Sequence, residues 1–224
     1  MQQNRQIITT KDGSKTIYFP DIDENYHSQH GALQESNHVF VKNGLENFQN
    51  QAEITVFEVG FGTGLNACLA FEFAVQYKKT IHYDTIEAFP IALDEVTALD
   101  YASLFSNERT KALTVELHTI TWNEKTTFDT VFNFTKFQQE LKDIALPNNH
   151  YDCIFFDAFA PNIQPELWTI DVFEKLFNAL KPNGLLVTYC AKGQVKRNLK
   201  SVGFTVECVA GPPGKREMTL AWKR

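Results

Sequence analysis

The chain has 224 residues, 43% of them hydrophobic and 21% charged, with a formal net charge of −6 at pH 7; this suits one α/β domain with a sizeable core and a small extension. No apolar run approaches the roughly 20 residues that span a bilayer, and the polar start Met1-Gln2-Gln3-Asn4-Arg5 has no secretory h-region, so a cytoplasmic protein with no membrane role is expected. The cysteines Cys68, Cys153, Cys190 and Cys208 are far apart and form no C-x-x-C pair, which points to reduced, mostly buried thiols and to no metal site.

Residues 1–53 read as an N-terminal extension of short strands and turns. From residue 54 to 224 strand-like and helix-like segments alternate. Ile54–Val59 is a short apolar strand ending in glycines, and Leu65–Tyr77 is a helix. Ile81–Ala88 is a second strand, followed by Pro90 in the first turn of the next helix. Residues 105–130 carry no clear period. Thr130–Phe137 has the β-branched and aromatic content of a strand, and Tyr151–Ala158 is a buried strand. Pro165–Leu180 is helical and is stopped by Lys181-Pro182-Asn183-Gly184. Leu185–Cys190 is a strand, Gln194–Ser201 a helix, and Thr205–Val209 and Glu217–Trp222 are two final strands. The alternation predicts a parallel sheet with helices on both faces, and the last two strands, with no helix between them, predict an antiparallel hairpin.

Glu58-x-Gly60-x-Gly62-x-Gly64 follows a strand and opens a helix. Glycines there let the backbone turn tightly against a ligand, and the helix start offers unpaired N–H groups. A dinucleotide turn has the spacing G-x-G-x-x-G because a pyrophosphate sits on the helix end. G-x-G-x-G with an acid two residues earlier suits a ligand with an ammonium and a sulfonium and no phosphate, which is S-adenosylmethionine. A ligand-free turn and a nicotinamide or flavin site are the alternatives. Glu87 ends the second strand, where an acid can accept hydrogen bonds from ribose hydroxyls; it does not separate the two cofactors. The expected cofactor contacts are therefore Glu58, Gly60, Phe61, Gly62, Thr63, Gly64, Asn66, Glu87 and Asp157.

Asp157-Ala158-Phe159-Ala160-Pro161 follows the fourth strand, at the sheet end where such folds bind ligands. Asp157 there can orient a planar base bearing an amine, with Phe159 stacked on the base; the alternative is that Asp157 caps the turn and Phe159 is core. At an ordinary pKa near ~3.9 an Asp is a poor base for an alkylammonium, so positioning and easing proton loss to water, not full general-base work, are its expected roles. Between Lys181 and Arg224 stand nine basic and two acidic residues, a local net charge of +7 against −13 for the rest. Such an end is either a solvated face or a phosphate-binding one.

These motifs together resemble the methyltransferase domain of the bifunctional tRNA 5-methylaminomethyl-2-thiouridine biosynthesis proteins (MnmC) and their free-standing MnmD-type relatives. The resemblance rests on Glu35-Ser36-Asn37-His38-Val39-Phe40, the run Glu58 to Asn66, Asp157 to Pro161 with Pro165-Glu166-Leu167-Trp168-Thr169, and Gly214-Lys215-Arg216-Glu217-Met218. It extends from about residue 17 to the end, more weakly over residues 105–145. It implies a class I, Rossmann-like S-adenosylmethionine-dependent methyltransferase with a mostly parallel sheet, a C-terminal antiparallel hairpin and a small N-terminal extension. It also implies methyl transfer to the primary amine of 5-aminomethyl-(2-thio)uridine at the tRNA wobble position. The partner would be the anticodon stem-loop, and this chain would have no flavin domain. Near the adenine, where relatives carry an acid, stands Phe137-Gln138-Gln139-Glu140; Gln in its place and Glu140 from a shifted position are both open. The resemblance gives Asp157 and Phe159 catalytic roles and makes His38, Pro161, Lys192, Lys215 and Arg216 substrate contacts, with Lys215 and Arg216 holding anticodon phosphates. For His38 a packed structural role is the alternative. A small-molecule or protein amine as acceptor, and a catalytically inactive binding module, are the competing functions.

Overall fold

A computed structural model describes residues 5–224, so the first four residues of the predicted extension lie outside the described residues. Eleven strands and six α-helices follow in chain order among them. Strands β1 (Gln6–Thr9), β2 (Lys15–Phe19) and β3 (Glu24–Asn25) form a small antiparallel sheet. Helix α1 (Ala32–Ser36) runs directly into a π-helical turn over Asn37–Lys42.

The main sheet has eight strands in the order β10-β11-β9-β8-β4-β5-β7-β6. They are β4 (Glu53–Val59), β5 (Thr80–Ile86), β6 (Lys125–Phe128), β7 (Phe132–Phe137), β8 (Tyr151–Phe156), β9 (Leu180–Thr188), β10 (Thr205–Ala210) and β11 (Glu217–Trp222). The five inner strands β9, β8, β4, β5 and β7 are parallel. The hairpin β10–β11 joins β9 antiparallel, as the lack of an intervening helix required. The chain runs outward from β4 through β5 to β7 and then returns to the other side of β4 as β8. The order therefore reverses between β4 and β8, and their carboxyl ends open a crevice there.

Alternation along each strand sends side chains to two separate cores. Ile54, Val56, Cys153, Phe155, Leu185 and Val187 face helix α2 (Leu65–Tyr77) and the N-terminal segment. Phe57, Val59, Ile154, Phe156 and Leu186 face helices α5 (Ile170–Ala179) and α6 (Gly193–Val202). Helix α2 is buried over nearly its whole first half, because α1 and the π-turn lie across its outer side. Its bounds agree with the sequence reading.

Three local expectations are corrected. Pro90 does not open a helix: α3 (Leu93–Leu99) begins three residues later, where Glu95 Oε2 accepts the Ala92 N–H at 2.8 Å and so fixes the first turn. Pro165–Leu180 is two pieces, a 3₁₀ turn Pro165–Trp168 and α5; Thr169 between them caps α5 with its hydroxyl on the Val172 N–H. Lys181–Gly184 lies inside β9 rather than before it. The Asn183 N–H donates to Lys223 O at 2.7 Å and the Lys223 N–H to Gly184 O at 2.9 Å, so the segment after β11 holds it in the sheet. The unreadable stretch contains α4 (Glu108–Thr119) and the antiparallel edge strand β6.

Phe155 has no exposed surface and its ring lies 5.0 Å from that of Phe40 and 6.0 Å from that of Tyr83, joining the π-turn to the sheet. Phe155→Ala is expected to cost about 3–5 kcal/mol, read as a lower urea midpoint at unchanged slope.

Candidate active site

The carboxyl ends of β4, β5 and β8 meet at a cleft of roughly 1570 Å³, larger than one drug-sized ligand needs. The backbone after each strand is bonded to its neighbour: the Asp157 N–H donates to Val59 O at 3.0 Å, Gly60 to Ile86 O at 3.1 Å and Glu87 to Phe137 O at 3.0 Å. Gly60 has a φ of +93°, and a Cβ on it would lie 2.7 Å from Asp157 O. A side chain there would push β8 away from β4. Gly64 caps α2 at φ +75° and is packed against the Phe61 and His118 rings, so a neighbour's packing as well as its dihedral selects glycine.

Of the sequence-predicted cofactor residues, Gly60, Phe61, Gly62, Thr63, Asn66, Glu87 and Asp157 line the cleft. Glu87 Oε2 accepts the Gly62 N–H at 2.9 Å and Oε1 the Phe89 N–H at 2.8 Å. It ties the glycine turn to the segment after β5, and each oxygen keeps a lone pair for a hydroxyl. Gln139 and Glu140 both line the same cleft, with Glu140 paired to Lys142 at 2.6 Å.

Glu58 is placed differently from the expectation. It has no exposed surface and does not line the cleft, because strand alternation puts it on the α2 face beside Val56. Its Oε2 accepts from Thr85 Oγ1 at 2.7 Å and its Oε1 from Asn66 Nδ2 at 3.0 Å. The same Asn66 Nδ2 donates its other hydrogen to Asp157 Oδ2 at 2.8 Å. Glu58 thus reaches the cleft only through Asn66, which fixes the Asp157 carboxyl.

Burial sets the charge of both acids. It raises Glu58 to about 8, against the hydrogen bonds from Thr85 and Asn66, which favours its protonated form at neutral pH. Burial, with Glu35 adding to it, raises Asp157 to about 7, while Asn66 and Lys215 pull the other way. The expectation of an ordinary Asp is therefore corrected: this carboxyl titrates near neutrality, where proton exchange with an amine is far better matched.

Phe159 lines the cleft but its ring is edge-on to Phe19 at 5.6 Å and Tyr26 at 5.2 Å. The N-terminal sheet covers this side, held also by the Arg5–Glu95 ion pair at 2.9 Å.

The predicted substrate contacts separate. His38 lies away from the cleft: its Nε2 donates to Ala210 O at 2.8 Å, a strut between the π-turn and the end of β10, which is the structural alternative. Pro161 is not on the cleft wall, although Ala160 and Ile163 on either side are. Lys192 is exposed and reaches Asn162 Oδ1 at 2.8 Å; Arg216 is exposed. Lys215 turns inward instead. Its Nζ is 2.7 Å from Glu35 Oε1 and 3.8 Å from the centre of the Tyr189 ring, so it is not the outward phosphate contact that was expected. Glu35 and Tyr189, both on the cleft wall, received no role from the sequence. The signal for Glu35 was its place in the Glu35–Phe40 motif, which meets the Gly214–Met218 motif here across 180 residues.

Residues 103–224 match the family model described as S-adenosyl-L-methionine-dependent methyltransferase. The chain belongs to this family. Its cofactor is S-adenosylmethionine, and the site fits it: a tight glycine turn for close backbone approach, Glu87 for a ribose, and acids rather than phosphate-binding cations beside the turn. Across 91% of its length the methyltransferase is 31% identical to the tRNA 5-methylaminomethyl-2-thiouridine biosynthesis bifunctional protein MnmC of Cupriavidus necator. It is 29% identical over 96% of its length to that of Burkholderia thailandensis. The chain spans about a third of the length of these relatives, 32% and 34%. Among solved structures, MnmC2 from Aquifex aeolicus superimposes with a TM-score of 0.79 at 26% identity, covering all of this chain and 72% of that one. No helix among the described residues is long and apolar enough to cross a membrane.

Because Glu58 is raised above its value of 4.5 in the unfolded chain, the folded state binds more protons between the two values. The stability this gives is fully present below about 4.5 and is lost as pH rises through about 8. From pH 6.5 to 8 the loss is on the order of 2 kcal/mol. Glu58→Gln, which mimics the protonated acid, should flatten urea-measured stability over that range; an unchanged slope would show that Glu58 is already ionised in the folded protein.

Proposed function

We propose that this methyltransferase acts on the primary amine of 5-aminomethyl-(2-thio)uridine at the tRNA wobble position, giving 5-methylaminomethyl-(2-thio)uridine. The observation that carries the reading is the half-buried Asp157 carboxyl on the cleft wall, clamped by Asn66 beside the glycine turn and raised toward neutrality. Its likeness to the methyltransferase-bearing MnmC proteins over nearly the whole chain supports the substrate.

Bound S-adenosylmethionine supplies an electrophilic methyl on a sulfonium, already a good leaving group. The protein's task is alignment and proton control. An amine attacks only when neutral. Asp157 holds the amine by a hydrogen bond and takes its proton, which the raised affinity of this carboxyl makes feasible. Glu58 keeps Asn66, and through it Asp157, in a single orientation. Phe159, backed by Phe19 and Tyr26, forms an aromatic wall beside the acid.

The exposed Lys192 and Arg197 at the start of α6 and Arg216 in the β10–β11 loop lie at the same sheet end as the cleft. They are the proposed contacts to anticodon-loop phosphates, with the anticodon stem-loop as the docked element. A small-molecule or protein amine as acceptor would leave this basic rim without a role. Residues 54–224 are the proposed catalytic unit with the preceding residues as its extension, and a tRNA substrate places the reaction in the cytoplasm.

Purified protein should transfer labelled methyl to tRNA bearing 5-aminomethyluridine. Binding of S-adenosylmethionine without transfer to that tRNA would refute the substrate. Lys192→Glu with Arg216→Glu should weaken tRNA binding about tenfold or more and reduce its salt dependence by about two phosphate contacts, with cofactor affinity unchanged by calorimetry.

A further inference from the structure

The ion pair between Glu35 and Lys215 joins an N-terminal helix to a C-terminal loop, yet both residues also face the cleft. Glu35 is almost fully buried, with 9% of its side chain exposed, and Lys215 is 34% exposed. Taking the Glu35 charge out of water is costly, and a pure strut between two segments could be apolar. The groups are also held in fixed orientations. Glu35 Oε2 accepts the Ser28 N–H at 2.7 Å while Oε1 takes Lys215. The Lys215 ammonium rests on the Tyr189 ring, and the Tyr189 hydroxyl is anchored on Ala158 O at 2.9 Å, one residue from Asp157.

Hydrogen-bond capacity remains on both partners. An ammonium has three N–H donors and each carboxylate oxygen two acceptor sites, so Lys215 can donate, and Glu35 accept, once more toward the cleft. Both act through space on Asp157, Glu35 raising and Lys215 lowering its proton affinity. A donor and an acceptor therefore stand side by side next to the acid that holds the amine.

Resting on the reading that the acceptor is a 5-aminomethyl pyrimidine, the geometry points to Lys215 and Glu35 as the specificity-determining pair that reads the uracil edge, Lys215 donating to O4 and Glu35 accepting from N3–H. On the ring, O4 neighbours the carbon that bears the aminomethyl group, and N3–H follows O4. A base whose amine reaches Asp157 thus brings an acceptor and then a donor to the groups beside it. Cytosine reverses both: its 4-amino group would face the Lys215 ammonium and its N3 lone pair the Glu35 carboxylate. The pair rejects it by repulsion as well as by lost bonds.

The test compares anticodon stem-loops carrying 5-aminomethyluridine or 5-aminomethylcytidine at the wobble position, with wild-type protein, Lys215→Met and Glu35→Gln. Wild type should prefer the uridine by about 100-fold or more in kcat/KM. Each variant should lose about tenfold or more on uridine and bring the ratio below about tenfold, with calorimetric affinity for S-adenosylmethionine unchanged within about threefold. Glu35→Gln keeps the shape and the bond from Ser28, so it decides the matter if Lys215→Met lowers the melting temperature. An unchanged uridine-to-cytidine ratio in Glu35→Gln overturns the assignment. A parallel loss of cofactor affinity in Lys215→Met also overturns it and gives Lys215 to the methionyl carboxylate. Absence of transfer to either stem-loop by the wild type, with cofactor bound, refutes the tRNA reading on which the assignment rests.

Discussion

The site depends on one buried acid. Glu58 has no exposed surface, and a carboxyl in that position needs hydrogen-bond partners or it destabilises the strand that carries it. Thr85 on β5 and Asn66 on α2 supply them. This arrangement joins the first strand, its neighbour and the helix after the glycine turn at one point. Asn66 has a second amide hydrogen, and that hydrogen orients Asp157 at the end of β8. The conformation of the Asp157 carboxyl is thus set from inside the core, by a residue that does not line the cleft.

The opposite wall comes from the two chain ends. The N-terminal sheet brings Phe19 and Tyr26 against Phe159, and α1 brings Glu35 to meet Lys215 of the last hairpin. The segment before β4 therefore lines the cleft. Enclosure by these groups leaves Asp157 only partly exposed and raises its pKa to about 7. The same enclosure holds His27 down near 4, leaving it uncharged at neutral pH.

Much of this was legible because local chemistry and tertiary role agree. The glycines after β4 and the apolar run from Leu65 mark α2, and consecutive strands without a helix mark the hairpin. Helix α4 escaped notice because its buried face carries Thr110 and Thr114 beside Leu113 and Leu117, which blurs the apolar period. Strand β6 is four residues long at a sheet edge. An acid before a glycine turn can face either way, so the motif alone does not place Glu58. Strand alternation, which groups it with Ile54 and Val56, contains the answer once those two are known to face α2. Lys215 was read as an outward cation because its partner lies 180 residues away. No local pattern reports such a contact, nor the bond from His38 to the Ala210 carbonyl 172 residues away.

We infer that the Glu58–Asn66 assembly holds Asp157 for the methyl acceptor rather than for the cofactor. Single-turnover methyl transfer by Asp157→Ala, measured beside its calorimetric affinity for S-adenosylmethionine, tests this most directly. The expected rate is about 100-fold or more below wild type, with cofactor affinity within about threefold. An equal loss of both quantities, or a rate close to that of the wild type, would contradict it.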